Sequence, residues 1–181
     1  DFCLSRGLGD VYKRQDENNR LQYQWKFNSD TITQPDMDID LTISFDTDRE
    51  NEVKEITGRD DLMYLSFSHH GALPGPATIK TYVGNKYKDG DIVYLYYFNE
   101  EQNRVESVGG VNKGLVVKDG YVEYTITHCS LYFLSQDTAE IIKAVDPDTA
   151  DNNGQVADVA DTANDSAATG DTTRVFLYVL A

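Results

Sequence analysis

Alternation of apolar and polar residues runs through the middle of this chain. Leu21, Tyr23, Trp25 and Phe27 fall on one side of an extended segment, with Gln22, Gln24 and Lys26 on the other. Ile39, Leu41, Ile43 and Phe45 repeat the pattern around Asp40, Thr42 and Ser44. A period of two sends successive side chains to opposite faces of a strand, so both segments are predicted as half-buried strands. Leu62 to Ser68, Thr78 to Val83, Arg104 to Val108, Leu115 to Val117, Tyr121 to Thr127 and Leu131 to Leu134 are predicted as further strands. Ile92-Val93-Tyr94-Leu95-Tyr96-Tyr97-Phe98 is apolar at both parities and is predicted to be central.

The punctuation between these runs agrees with short connections. Gly71-Ala72-Leu73-Pro74-Gly75-Pro76 reads as a loop, because proline fixes its own φ and pushes the preceding residue out of helix. Lys118-Asp119-Gly120 carries an Asp-Gly hairpin turn. Asp46 to Asp61 is charged, and Val53 with Ile56 at helical spacing predicts one short helical turn. About nine strands without a long helical period predict an all-β fold, an antiparallel β-sandwich, immunoglobulin-like or similar. Trp25, Phe45, Phe67, Leu95, Tyr97 and Ile126 are expected on its inner faces.

Composition changes the picture at the two ends. From Asp146 to Thr173 there are seven Asp, no Lys and no Arg, with Ala, Asn, Gly and Thr in place of large apolar residues. Such a stretch buries too little surface to offset its ordering entropy, so 146–173 is expected to be an acidic, disordered spacer. Residues 174–181 end in Val175-Phe176-Leu177-Tyr178-Val179-Leu180-Ala181. This run is far short of the roughly 20 residues that a spanning helix needs. After Thr169-Gly170 it resembles the start of a Gram-positive wall-sorting or membrane-anchor signal, truncated and without the usual Leu-Pro. That resemblance implies a cell-surface, extracellular location. At the other end, Asp10-Val11-Tyr12-Lys13-Arg14-Gln15 resembles a translated transposon adapter used in sequencing libraries, so 1–15 are expected to be non-native and are set aside. The folded domain is then expected over 16–145.

Charge and cysteine content narrow the partners. Asp plus Glu number 31 against 16 Lys plus Arg, a formal net charge of −15. A chain so acidic repels nucleic acid and anionic lipid at long range, so no nucleic-acid partner is expected, and a membrane or wall only through the terminal anchor. Cys3 lies in the stretch set aside, which leaves Cys129 as a single thiol and the domain without an internal bridge. Cys129 is expected to be a small buried side chain.

Several short patterns carry chemistry. His128-Cys129-Ser130 is similar to the autoproteolytic junctions of GAIN and nucleoporin domains, where a His acts as base on a Ser or Thr hydroxyl that attacks the preceding carbonyl. The resemblance implies Ser130 as nucleophile, His128 as base and cleavage between Cys129 and Ser130, with Cys at the middle position as a departure. The plain alternative is a polar turn that caps entry to the last strand. Asp36, Asp38 and Asp40 alternate onto one face and offer oxygen ligands for calcium, although Leu41 stands where an EF-hand loop needs glycine. An acidic solvent face is the plainer explanation. His69-His70 lacks zinc partners at the right spacing. Tyr94, Tyr96, Tyr97, Tyr121, Tyr124 and Tyr132 offer a sugar-stacking face or, alternatively, amphipathic core positions.

The runs Leu21 to Phe27, Asp40 to Phe45, Leu65 to Gly75, Tyr94 to Tyr97 and Thr127 to Leu134, in that order, resemble modules near the C-terminus of large surface proteins of Clostridia-type Gram-positive bacteria. The resemblance implies a location and an architecture. Together these readings predict a non-catalytic stalk or adhesion module with no cofactor. Its partner is expected to be an unknown extracellular ligand, protein or glycan.

Overall fold

The structure, a computed structural model, describes residues 11–147. The acidic stretch beyond residue 147 and the apolar terminus 174–181 lie outside the described residues. The fold is all-β and antiparallel. Eight strands share one hydrogen-bonded sheet: β1 (Val11–Gln15), β2 (Leu21–Phe27), β3 (Ile43–Ser44), β4 (Met63–Tyr82), β5 (Ile92–Asn99), β6 (Arg104–Ser107), β7 (Gly114–Val116) and β8 (Tyr121–Ser135). The order is β1-β2-β4-β8-β5-β6, with β3 on β4 and β7 on β5. A short 3-10 turn η1 (Ser29–Thr31) follows β2, and two helices, α1 (Glu50–Thr57) and α2 (Ala139–Ile142), complete the described elements.

Two long strands replace the four short ones that the sequence predicts. β4 runs through the expected Gly71–Pro76 loop, and β8 runs through the expected turn at His128–Ser130. The irregularity at these places appears as bulging. Ser66 faces Leu131 while Gly71 faces Cys129, so five steps on β4 oppose two on β8, and the same imbalance recurs between Ala72 and Ala77. Pro74 and Pro76 lie inside the second bulge, where no β8 partner needs their missing N–H.

Bulging bends a sheet, and here it folds the sheet over on itself. The ends of β4 and β8 nearest β2 face the ends nearest β5, and one core fills the space between them. Trp25 of β2 meets Phe67 of β4 edge-on, with ring centroids 5.4 Å apart, and Phe67 meets Tyr132 of β8 at 5.5 Å. The two expected layers are thus halves of one continuous sheet. Trp25, Phe67, Leu95 and Ile126 are buried in this core as expected, while Phe45 and Tyr97 pack against it partly exposed.

β5 does have apolar neighbours on both faces. Val93 and Leu95 join the main core, whereas Tyr96 and Phe98 face a second cluster with Tyr64, Phe133, Val53 of α1 and Ile142 of α2. α1 occupies the expected helical turn and ends at Gly58, whose φ of 69° closes the helix with an N–H bond to Lys54 O of 2.8 Å.

The segment from Ile39 to Phe45 keeps the expected alternation, with Ile39, Leu41 and Ile43 buried, yet only Ile43–Ser44 form a strand. Side chains of β2 satisfy its backbone across the core. Trp25 Nε1–H donates to Leu41 O at 3.0 Å, and Ile43 N–H donates to Tyr23 Oη at 3.2 Å. At the other end, Val11–Gln15 pair with β2 as an outer strand, within the stretch set aside on sequence grounds. Backbone ladders need no particular side chains, and four of the five residues are exposed.

Candidate functional site at the corner of strand β8

The triplet His128-Cys129-Ser130 sits where β8 turns the corner. Inward residues of β8 fall at Val122, Tyr124 and Ile126, then at Cys129, then at Tyr132 and Leu134. Two steps of three in a period of two mean that the strand reverses its faces twice across the triplet. Gly71 and Ala72 of β4 stand opposite Cys129 and His128, and Gly71 has a φ of 102°, a conformation that favours glycine.

Each member of the triplet is engaged with something other than the next. The His128 ring lies edge-on to Tyr97 with centroids 4.6 Å apart, and its Nε2 is 3.1 Å from Tyr132 Oη. Tyr132 Oη donates to His128 O at 2.9 Å. One phenol proton serves one acceptor, so with it on that carbonyl the imidazole carries its own proton on Nε2 and donates to the phenol oxygen. Burial lowers the His128 pKa, against a weaker opposite pull from Glu106. Burial and the nearby Glu106 raise the Tyr97 pKa, and the Ser130 hydroxyl partly offsets them. Cys129 is buried, and burial pushes its thiol up to about 12, which leaves it unreactive at neutral pH.

Self-cleavage would need His128 to reach the Ser130 hydroxyl at a strained junction. Among the described residues no hydrogen bond joins the two, and neither a positive φ nor a cis bond falls on the triplet. The polar turn expected there is also replaced, since the triplet is strand. Beside it lies a cavity of about 270 Å³ lined by Tyr97, Glu106, Ser107, His128, Tyr132 and Pro147 among others. Glu106 is buried and accepts from Asn99 Nδ2 and Arg104 Nε, both at 2.8 Å.

The remaining sequence candidates disperse. Asp36, Asp38 and Asp40 are exposed, and among the described residues no group of three or more His, Cys, Asp or Glu side chains converges. Asp40 is held below the usual carboxylate range by hydrogen bonds from the Thr42 side chain and backbone, the N–H at 2.9 Å. His69 Nε2–H donates to Ala72 O at 3.2 Å, inside the β4 bulge. The six tyrosines do not share a face. Tyr124 and Tyr132 point into the main core and Tyr96 into the second, Tyr94 and Tyr97 are half-buried on opposite sides of β5, and Tyr121 lies on the outside of the sheet beside Tyr82.

Sequence reasoning missed a larger concavity, about 560 Å³, on the outside of the β2-β4-β8 half. Gln24, Lys26, Thr78, Lys80 and Glu123 form its floor, with Asn28, Thr31 and Pro76 at one end. The signal available was the polar face of Gln22, Gln24 and Lys26, but nothing in the sequence says which strand lies next to β2. No family model matches the chain, and a search of curated proteins finds no match.

Proposed function

We propose that this chain is a non-catalytic, extracellular stalk or adhesion module of a bacterial surface-anchored protein. One observation carries the stalk reading: the chain enters and leaves the fold at opposite edges of the sheet. With Val11–Gln15 set aside as part of residues 1–15, β2 is the outer strand at one edge, and Val145 pairs in parallel with Glu106 of β6 at the other. Linkers at the two ends are then attached to different strands at the two edges of the ladder, as in a module joined in series. The acidic spacer and the anchor-like terminus support an extracellular place for it, and the engaged His128, Cys129 and Ser130 fit a packed corner.

Pulling the full chain by handles at its two ends tests this. A single cooperative step releasing roughly 450–490 Å of chain, less the folded span, is expected for unfolding of residues 11–147. Extension without a step would overturn the stalk. A denaturing gel with two fragments, restored to one band by Ser130→Ala, would overturn the non-catalytic part.

A further inference from the structure

We infer that the outer face of the β2-β4-β8 half binds an anionic polysaccharide. The face is built in register. Lys80 stands between Gln24 and Glu123, Thr78 between Lys26 and Thr125, and Tyr82 opposite Tyr121. Directly opposed residues share a face, so these side chains form three parallel rows pointing away from the core. From Tyr82 to Thr78 the rows cover about 13 Å along β4, long enough for an extended polymer and too open for a small molecule to be enclosed.

The η1 turn closes one end, and Gly75 fixes it there. A Cβ on Gly75 would lie 2.6 Å from Thr31 O, a backbone atom. Thr33 ties the same turn down, its N–H and Oγ1 both donating to Pro74 O at 2.7 and 2.9 Å. The concavity therefore has a fixed wall as well as a floor.

Charge on this face runs against the molecule. In a chain of net −15, Lys26 and Lys80 line the concavity, and among the described residues neither makes an ion pair. Glu123 on the floor and Asp30 on η1 are the acidic groups nearby. The Lys80 ammonium lies 4.6 Å from the centre of the Tyr121 ring, and the Arg20 guanidinium 4.2 Å from that of Tyr82. Lys13 extends the Lys80 row through Gln24, but it falls within residues 1–15, and Lys26 with Lys80 suffice without it.

These groups match a charged sugar polymer. Ammonium groups take its carboxylates or phosphates, and Gln24, Asn28, Thr31 and Thr78 take its hydroxyls. Nucleic acid is disfavoured, because its dense phosphates meet the repulsion of the whole acidic chain while two lysines neutralise few of them.

Affinity electrophoresis of the full chain through gels containing polygalacturonate, alginate, neutral dextran or double-stranded DNA tests this. Retardation by one or both anionic polymers is expected, weakening as salt rises, with dextran inert and DNA weak. The Lys26→Gln/Lys80→Gln double variant should weaken binding about tenfold, and Glu123→Gln should strengthen it. Both change outward residues, so an unchanged thermal midpoint separates lost binding from lost folding. No retardation by either anionic polymer, binding unaffected by the double variant, or DNA bound as tightly as the glycans would overturn the assignment. The stalk reading fails by a different measurement: a normal unfolding step with no glycan binding removes only this surface.

Discussion

At the scale of single residues, the core is wired by side chains that stand in for a missing ladder. Tyr23 Oη is the acceptor for Ile43 N–H inside the main core, so Tyr23→Phe leaves a buried donor unpaired. A loss of about 1–3 kcal/mol in urea denaturation is expected. Tyr64 is the contrasting case, because its buried hydroxyl has no partner among the described residues. Tyr64→Phe should therefore be neutral or slightly stabilising in the same assay. His128 gives a pH signature. Its folded pKa lies below the usual 6.5, so the unfolded chain binds more protons and the stability due to neutral His128 is present above that value and lost as pH falls below it. A decline in unfolding free energy starting just below pH 6.5 is expected, and His128→Gln should flatten it. Which residues are buried was largely legible from alternation. The bonds from Trp25 and Tyr23 to the Ile39–Phe45 segment were not, since they depend on how the sheet folds over.

At the scale of elements, the two helices matter because β5 and the ends of β4 and β8 near it have apolar residues on both faces. Ile142 of α2 is fully buried against the second cluster. Ile142→Ala should cost about 2–5 kcal/mol in guanidinium denaturation, more than a four-residue helix would supply on its own. The short α1 was readable from the spacing of Val53 and Ile56, and the apolar run in β5 announced a strand covered on both sides. Long strands were misread as pairs of short ones, because glycine and proline mark both a loop and a bulge. Gly71, Pro74 and Pro76 lie in bulges because β8 continues alongside them, a fact held by residues more than fifty positions away.

At the scale of the whole molecule, the closing contact is the parallel pairing of Val145 with β6. Val145 N–H donates to Val105 O at 2.9 Å, and Val145 O accepts from Ser107 N–H at 2.9 Å. Val145→Pro removes the first bond. A lower unfolding force under tension applied to the chain ends is expected, with faster hydrogen exchange at the Ser107 amide. The β class, the burial of Tyr23, Trp25, Phe27, Ile39, Leu41 and Ile43, the short helical turn and the acidic balance were readable along the chain, because each depends on local periodicity or composition. Tertiary structure alone decided that the layers are one folded sheet, that the His128 triplet is a packed corner, and that Lys26 and Lys80 share a face. Those outcomes depend on which strand lies beside which, and strand pairing is a long-range choice that a period of two leaves open.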